Sequence, residues 1–247
     1  MRHRSVHLLA AALSSLAHGL STTSARAPSA PTAYARDGVA FVRDFLPAAE
    51  YEKILQDCRS MRGALKKEKN SIAIGRTGRM VDRQSVTHEC LTSELVAQRV
   101  AKLCGAQLVP SEYPTELRVY GPAAGMDWHQ DDVMYDEPQM ELVYCLENTS
   151  DSYTEWIPAG GSQELRSEFT PPNSALLVRA GDAGARHRVQ TLRRGERTIL
   201  KQIWHRPDSE PLERFYQHLD SLPGLRAKQR PKKASEQQPK KGQQRRR

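Results

Sequence analysis

Long apolar runs, close cysteine pairs and nucleotide-binding loops are all missing from this 247-residue chain, and each absence excludes something. The apolar stretch Leu8-Leu9-Ala10-Ala11-Ala12-Leu13 is too short to span a bilayer. Cys58, Cys90, Cys104 and Cys145 are too far apart in sequence for a zinc clasp or a redox pair. Four scattered cysteines in so long a chain are not a disulfide framework either. Cys58 and Cys104 fall on the apolar faces of expected helices, where a thiol behaves as a small hydrophobe. There is no Gly-X-Ser-X-Gly, P-loop or dinucleotide fingerprint. Aromatic residues are 6% of the total, with no cluster that would stack bases.

Charge is present but unevenly placed. Residues 226–247 carry ten Lys or Arg and one acid, and residues 1–36 carry four Arg and none, so a total of +8 leaves −5 for residues 37–225. The core is mildly acidic, and the basic balance belongs to the ends. Residues 226–247 lack apolar periodicity and read as a disordered basic tail able to meet an anionic partner. Residues 1–36 read as a targeting segment. Arg2 and Arg4, the apolar stretch and Thr23-Ser24-Ala25 fit a secretory signal, whereas the Ser/Thr/Ala/Arg-rich residues 14–36 fit an organelle transit peptide. Plastid, mitochondrion and secretory pathway stay open, and no transmembrane segment is expected in the mature chain.

Residues 37–225 form the expected folded domain. Val39 and Phe41 share one face of a strand. Pro47 opens a helix carrying Tyr51, Ile54, Leu55 and Cys58, which Gly63 stops. A second helix runs from a Thr92 or Ser93 cap through Leu95, Val96, Val100 and Leu103 to Gly105. Residues 64–91 between them look basic and irregular, with a short strand at 72–74. From residue 115 the pattern turns β. Leu117 and Val119 alternate with polar neighbours, and Met140, Leu142, Tyr144 and Leu146 oppose Glu141, Val143 and Cys145. Further strands are expected at 174–178, 185–192 and 198–204. Helices followed by many strands argue an α+β, mainly β domain: a jelly-roll barrel with N-terminal helices packed on it. Residues 149–173 are long for a connection and read as a lid or a disordered segment, with Gly160-Gly161 as hinge.

Four residues carry the chemistry. In Trp128-His129-Gln130-Asp131, residues two apart on an extended segment point the same way, so an imidazole and a carboxylate can reach one point. His187 follows 58 residues after His129. Two histidines and one carboxylate with open positions opposite suit a non-haem Fe(II) site. Arg197, ten residues after His187, supplies a fork for a carboxylate. Asp132 competes with Asp131, but only Asp131 has the one-residue gap. His88, His205 and His218 have no partner at ligand spacing. Arg193 and Arg194 sit in a turn closed by Gly195, and Arg76, Arg79 and Arg83 read as a solvated face. Asn148-Thr149-Ser150 matches a glycosylation acceptor.

These residues resemble the 2-oxoglutarate/Fe(II)-dependent dioxygenases, in particular the prolyl 4-hydroxylase-like branch. Tyr120-Gly121 precedes His129 by nine residues, as in that branch, and a basic residue follows the distal His by ten. The likeness spans about Asp37 to His205. It implies a double-stranded β-helix with His129, Asp131 and His187 as iron ligands and catalytic centre. It also implies 2-oxoglutarate held by Arg197 and Tyr120, dioxygen as cosubstrate, and ascorbate as a candidate reductant. The substrate it implies is a peptidyl proline, hydroxylated at an unactivated C–H bond with release of succinate and CO2. The Trp128–Asp131 string also resembles phytanoyl-CoA-type hydroxylases of small molecules, and Arg rather than Lys at 197 departs from the animal prolyl hydroxylases. A nucleic-acid demethylase ranks lower because its arginine spacing is longer. A non-catalytic barrel module ranks lower because all the ligands are present.

Overall fold

A computed structural model describes residues 30–68 and 71–222. The first part of the fold holds α1 (Ala33–Asp37), β1 (Val39–Val42), α2 (Ala48–Met61), β2 (Lys66–Lys67), β3 (Ala73–Met80), α3 (Val86–Leu91), α4 (Glu94–Cys104) and β4 (Val109–Pro110). Then come β5 (Glu116–His129), β6 (Met140–Asn148), β7 (Thr154–Ile157), β8 (Arg166–Glu168), β9 (Ser174–Arg179), β10 (Arg186–Val189), β11 (Arg197–His205) and α5 (Glu213–Asp220). The strands form one curled antiparallel sheet in the order β1-β9-β6-β11-β5-β10-β7-β8, with β3 along β5, β2 on β3 and β4 on β11. Among the described residues no helix is long and apolar enough to cross a membrane. The segments 1–29 and 223–247, with most of the expected targeting segment and the basic tail, lie outside the described residues.

Alternation decides which face is which. Met140, Leu142, Tyr144 and Leu146 of β6, Leu177 of β9 and Leu200 and Trp204 of β11 join Ile54 and Leu55 of α2 and Val96 and Val100 of α4 in the main core. Their in-between neighbours, Glu141, Val143, Ile199 and Lys201, line the interior of the curl instead. Helices therefore cover one face of the sheet, and the opposite face is left to build a site. The α4 caps fall at the expected residues. Ser93 Oγ accepts the Val96 N–H, and Gly105 ends the helix at φ 70°. All four cysteines are free, and burial pushes the Cys58 and Cys104 thiols up to about 12.

Several expectations need correction. The fold begins before Asp37: α1 is capped by Thr32, and Tyr34 is buried in the main core. Gly63 does not stop α2, which passes into a 3-10 turn over Arg62–Ala64. Residues 64–91 are not irregular, since β3 runs along β5 and α3 is capped by Ser85. The 185–192 strand shortens to β10. Residues 149–173 are neither a lid nor disordered, because β7 pairs with β10 and β8, and Trp156 is buried. Gly160 and Gly161 merely turn the chain between those strands at φ 80° and 85°. Asn148 is buried, and its amide donates to the Thr170 carbonyl, so it is no glycosylation acceptor in this fold.

Candidate active site

The inner face of the curl brings together His129, Asp131 and His187. His129 ends β5, and His187 lies directly across from it on β10. On its other side His187 faces Trp156 of β7. Asp131 sits two residues past the strand, where its carbonyl accepts the Gly181 N–H and the neighbouring Gln130 amide donates to the Gly184 carbonyl. Gly184 permits this close turn. A Cβ there would lie 1.6 Å from the Arg179 carbonyl oxygen.

The imidazoles are oriented from behind. His129 Nδ1 lies 2.8 Å from the Asp127 carbonyl and His187 Nδ1 3.1 Å from the Ala185 carbonyl. A carbonyl only accepts, so each Nδ1 carries the proton and each Nε2 presents a lone pair inward. Those Nε2 atoms stand 3.9 and 3.6 Å from the Asp131 oxygens, and one ligand atom from each residue falls within a 4.8 Å cluster. Asp131 Oδ2 is buried without a hydrogen bond. Burial, reinforced by His187, lowers His129 to about 4, so it is neutral at pH 7. Burial alone would raise Asp131, yet Lys201, His187 and His129 together hold it well below the usual carboxylate range. Two imidazoles and one carboxylate, with an orphaned oxygen between them, form a donor set suited to a divalent metal.

Asp132 takes no part in this cluster. It faces outward to Arg214 at 2.7 Å and His218 at 3.3 Å on α5. Arg193 and Arg194 are exposed in their turn. Arg197, by contrast, is 2% exposed at the start of β11, directly opposite Tyr120. Its Nη1 donates to Thr154 Oγ1 at 2.7 Å, while its Nε is buried without a partner. Arg197, Tyr120 and Thr154 share a narrow cavity of about 40 Å³ with Val143, Leu176, Val189 and Ile199, and the cavity opens on the His129–Asp131–His187 cluster.

Residues 34–155, just under half of the chain, match the family model for phytanoyl-CoA dioxygenase (PhyH). That match, with the three converging donor atoms, indicates a dioxygenase of the 2-oxoglutarate/Fe(II) kind. No curated protein matches the chain. Among solved structures, the α-ketoglutarate-dependent epimerase SnoN of nogalamycin biosynthesis aligns at 14% identity and TM-score 0.64, over 79% of this chain and 86% of that one. A Pseudomonas putida prolyl-4-hydroxylase aligns at 18% identity and TM-score 0.55, over 70% and 95%. A Burkholderia pseudomallei 2OG-Fe(II) oxygenase-family oxidoreductase aligns at 16% identity and TM-score 0.55, over 70% and 88%. These likenesses bear on the fold, which is the jelly roll expected from the strand pattern.

The interior also holds buried charged residues that sequence reasoning passed over. Arg76 is not on a solvated face. It is 1% exposed, ion-paired with Glu68, and its Nη1 donates to the Tyr120 hydroxyl at 3.0 Å. The sequence carried no signal for it: Ile74, two residues earlier, is exposed, and only the register shift between Ile74 and Arg76 turns Arg76 inward. Lys201, Glu141, Arg118 and Glu116 were missed altogether. Lys201 Nζ pairs with Glu141 and lies 3.7 Å from Asp131, while Arg118 pairs with Glu116. Burial and the Asp131 charge push Glu141 up, against the pull of the Lys201 ammonium beside it.

Arg76 fixes Tyr120 by occupying its oxygen. Arg76→Met should therefore destabilise the fold by about 1–3 kcal/mol, the cost of leaving buried polar partners unmatched. Apparent affinity for 2-oxoglutarate should fall severalfold. Denaturant melts and a 2-oxoglutarate titration check both, and an unchanged titration would separate Tyr120 from the cosubstrate.

Proposed function

We propose that the chain hydroxylates a C–H bond of a small molecule, with His129, Asp131 and His187 holding Fe(II) and Arg197 and Tyr120 holding 2-oxoglutarate. The observation that carries this reading is the narrow cavity with a buried, half-partnered guanidinium at one end and three converging donor atoms at the other. A molecule with two carboxyl ends and a short apolar stem fits that profile. Arg197 grips the far carboxylate through charged hydrogen bonds, helped by the Thr154 hydroxyl. Val143, Leu176, Val189 and Ile199 flank the methylenes and exclude water. The Tyr120 hydroxyl accepts from Arg76 and points its proton at the Met126 thioether, a weak acceptor that a carboxylate would outcompete. Bound Fe(II) supplies activation of dioxygen, one oxygen atom entering succinate and the other the substrate C–H bond. The protein's part is to orient and shield that chemistry.

The match to a phytanoyl-CoA dioxygenase model supports a small-molecule substrate over the peptidyl proline expected from the motif spacing. Purified protein supplied with Fe(II), 2-oxoglutarate and ascorbate should form succinate slowly without added substrate, and chelation should stop it. Absence of both succinate and measurable 2-oxoglutarate binding would overturn the reading.

A further inference from the structure

A second, larger cavity of about 190 Å³ lies on the other side of the His129–Asp131 edge, and it is unusual for a barrel interior. Its floor is ionic. Glu116 and Arg118 come from β5, Glu141 from β6 and Lys201 from β11, all facing inward. Lys201 sits directly across from Glu116 in the β5–β11 register. Glu116 and Glu141 are 4% and 2% exposed. Arg118 Nε is buried without a hydrogen bond, and its nearest Glu68 oxygen is 3.6 Å away.

Burying four ionisable side chains costs more than an apolar floor would, and nothing in the fold demands them there. Leu117, Leu142 and Leu200, their neighbours on the same strands, pack the core in the ordinary way. Nor does the metal cluster need all four, since Glu116 and Arg118 make no contact with His129, Asp131 or His187 in the ion-pair network. Departures of this kind from an apolar interior concentrate at functional sites.

Resting on the small-molecule reading above, we infer that this cavity binds a small zwitterion of the free amino-acid class. Arg118, paired with Glu116, and Lys201, paired with Glu141, would turn cationic donors to the ligand's carboxylate while the two glutamates take its ammonium. A long acyl chain or the neutral ring of a peptidyl proline would leave these desolvated groups facing carbon. A zwitterion replaces the water they lose.

The test offers the holoenzyme the free proteinogenic amino acids, the same compounds with the amine acetylated or the carboxylate esterified, a capped proline peptide and a medium-chain acyl-CoA. Succinate and substrate mass are both read. At least one free amino acid should raise succinate formation tenfold or more over 2-oxoglutarate alone and gain one oxygen atom. Its two derivatives, each lacking one charge, should lose most of that stimulation. Arg118→Gln should raise KM for that amino acid at least tenfold with a much smaller change in kcat, and Arg118→Lys should recover part of it. If Arg118→Gln does not fold, the derivative series on the unaltered protein still decides. Stimulation by the capped peptide or the acyl-CoA alone, or by no free amino acid beyond twofold, overturns this inference. Basal succinate formation in those same reactions would leave the oxygenase assignment standing.

Discussion

Replacing His129, His187 or Asp131 by alanine should each abolish succinate formation and strip the bound iron, whereas Asp132→Asn should keep its iron and turn over. The three donor atoms lie within a 4.8 Å cluster, so losing one leaves a two-point site. Outer-shell partners of metal ligands typically contribute roughly 10–100-fold, and a ligand itself should exceed that. The three losses should not add when combined, because groups acting as a unit fail together. Asp131→Ala carries a further consequence, since Lys201 would keep only Glu141 as its carboxylate partner. Asp131→Asn removes the charge with less change in shape and is the better control. Asp132 sits next in sequence but is committed to Arg214 and His218 on α5. Iron content and succinate, measured together on all five proteins, check the assignment. A dead Asp132→Asn beside a working Asp131→Ala would reverse it.

How much of this was legible in advance depends on what the residues had to report. Strand β6 announced both of its faces, because Met140, Leu142, Tyr144 and Leu146 alternate without a break and all four are buried together. The caps of α4 were equally plain, since Ser93 and Gly105 do by local chemistry what caps do anywhere. The clustering of His129, Asp131 and His187 was readable because His129 and Asp131 are one residue apart and His187 stands at a spacing that a β excursion accommodates. What could not be read is what depends on pairing across the sheet. Arg76 looks solvated in a glycine-bearing run, and only the alignment of β3 along β5 places it opposite Tyr120. Residues 149–173 likewise suggested a lid, although β7 pairs Trp156 with His187. The ionic floor escaped for the same reason. Glu116, Arg118, Glu141 and Lys201 each occupy an ordinary polar slot in an alternating strand. Which face is the interior emerges only once the helices have claimed the other one.

The second large effect is expected at Arg197. Its guanidinium is 2% exposed, with Nη1 on Thr154 and Nε without a partner, so it has both the burial and the spare donor that a carboxylate needs. Removing one member of such a buried charged pair costs roughly 3–5 kcal/mol, which is about two to four orders of magnitude in affinity. Arg197→Ala should raise the 2-oxoglutarate requirement by that factor while iron content is unchanged, because Arg197 does not touch His129, Asp131 or His187. Arg197→Lys should fall between, since lysine keeps the charge but loses the planar fork. Arg193→Ala and Arg194→Ala should be nearly silent, both side chains being exposed in the turn before β11. Iron content and a 2-oxoglutarate titration separate these outcomes. If Arg197→Ala bound 2-oxoglutarate as well as the unaltered protein, the narrow cavity would not be the cosubstrate site, even with the metal ligands confirmed. The larger cavity beside it would then have to hold both molecules, and its ionic floor would answer to 2-oxoglutarate rather than to a zwitterion.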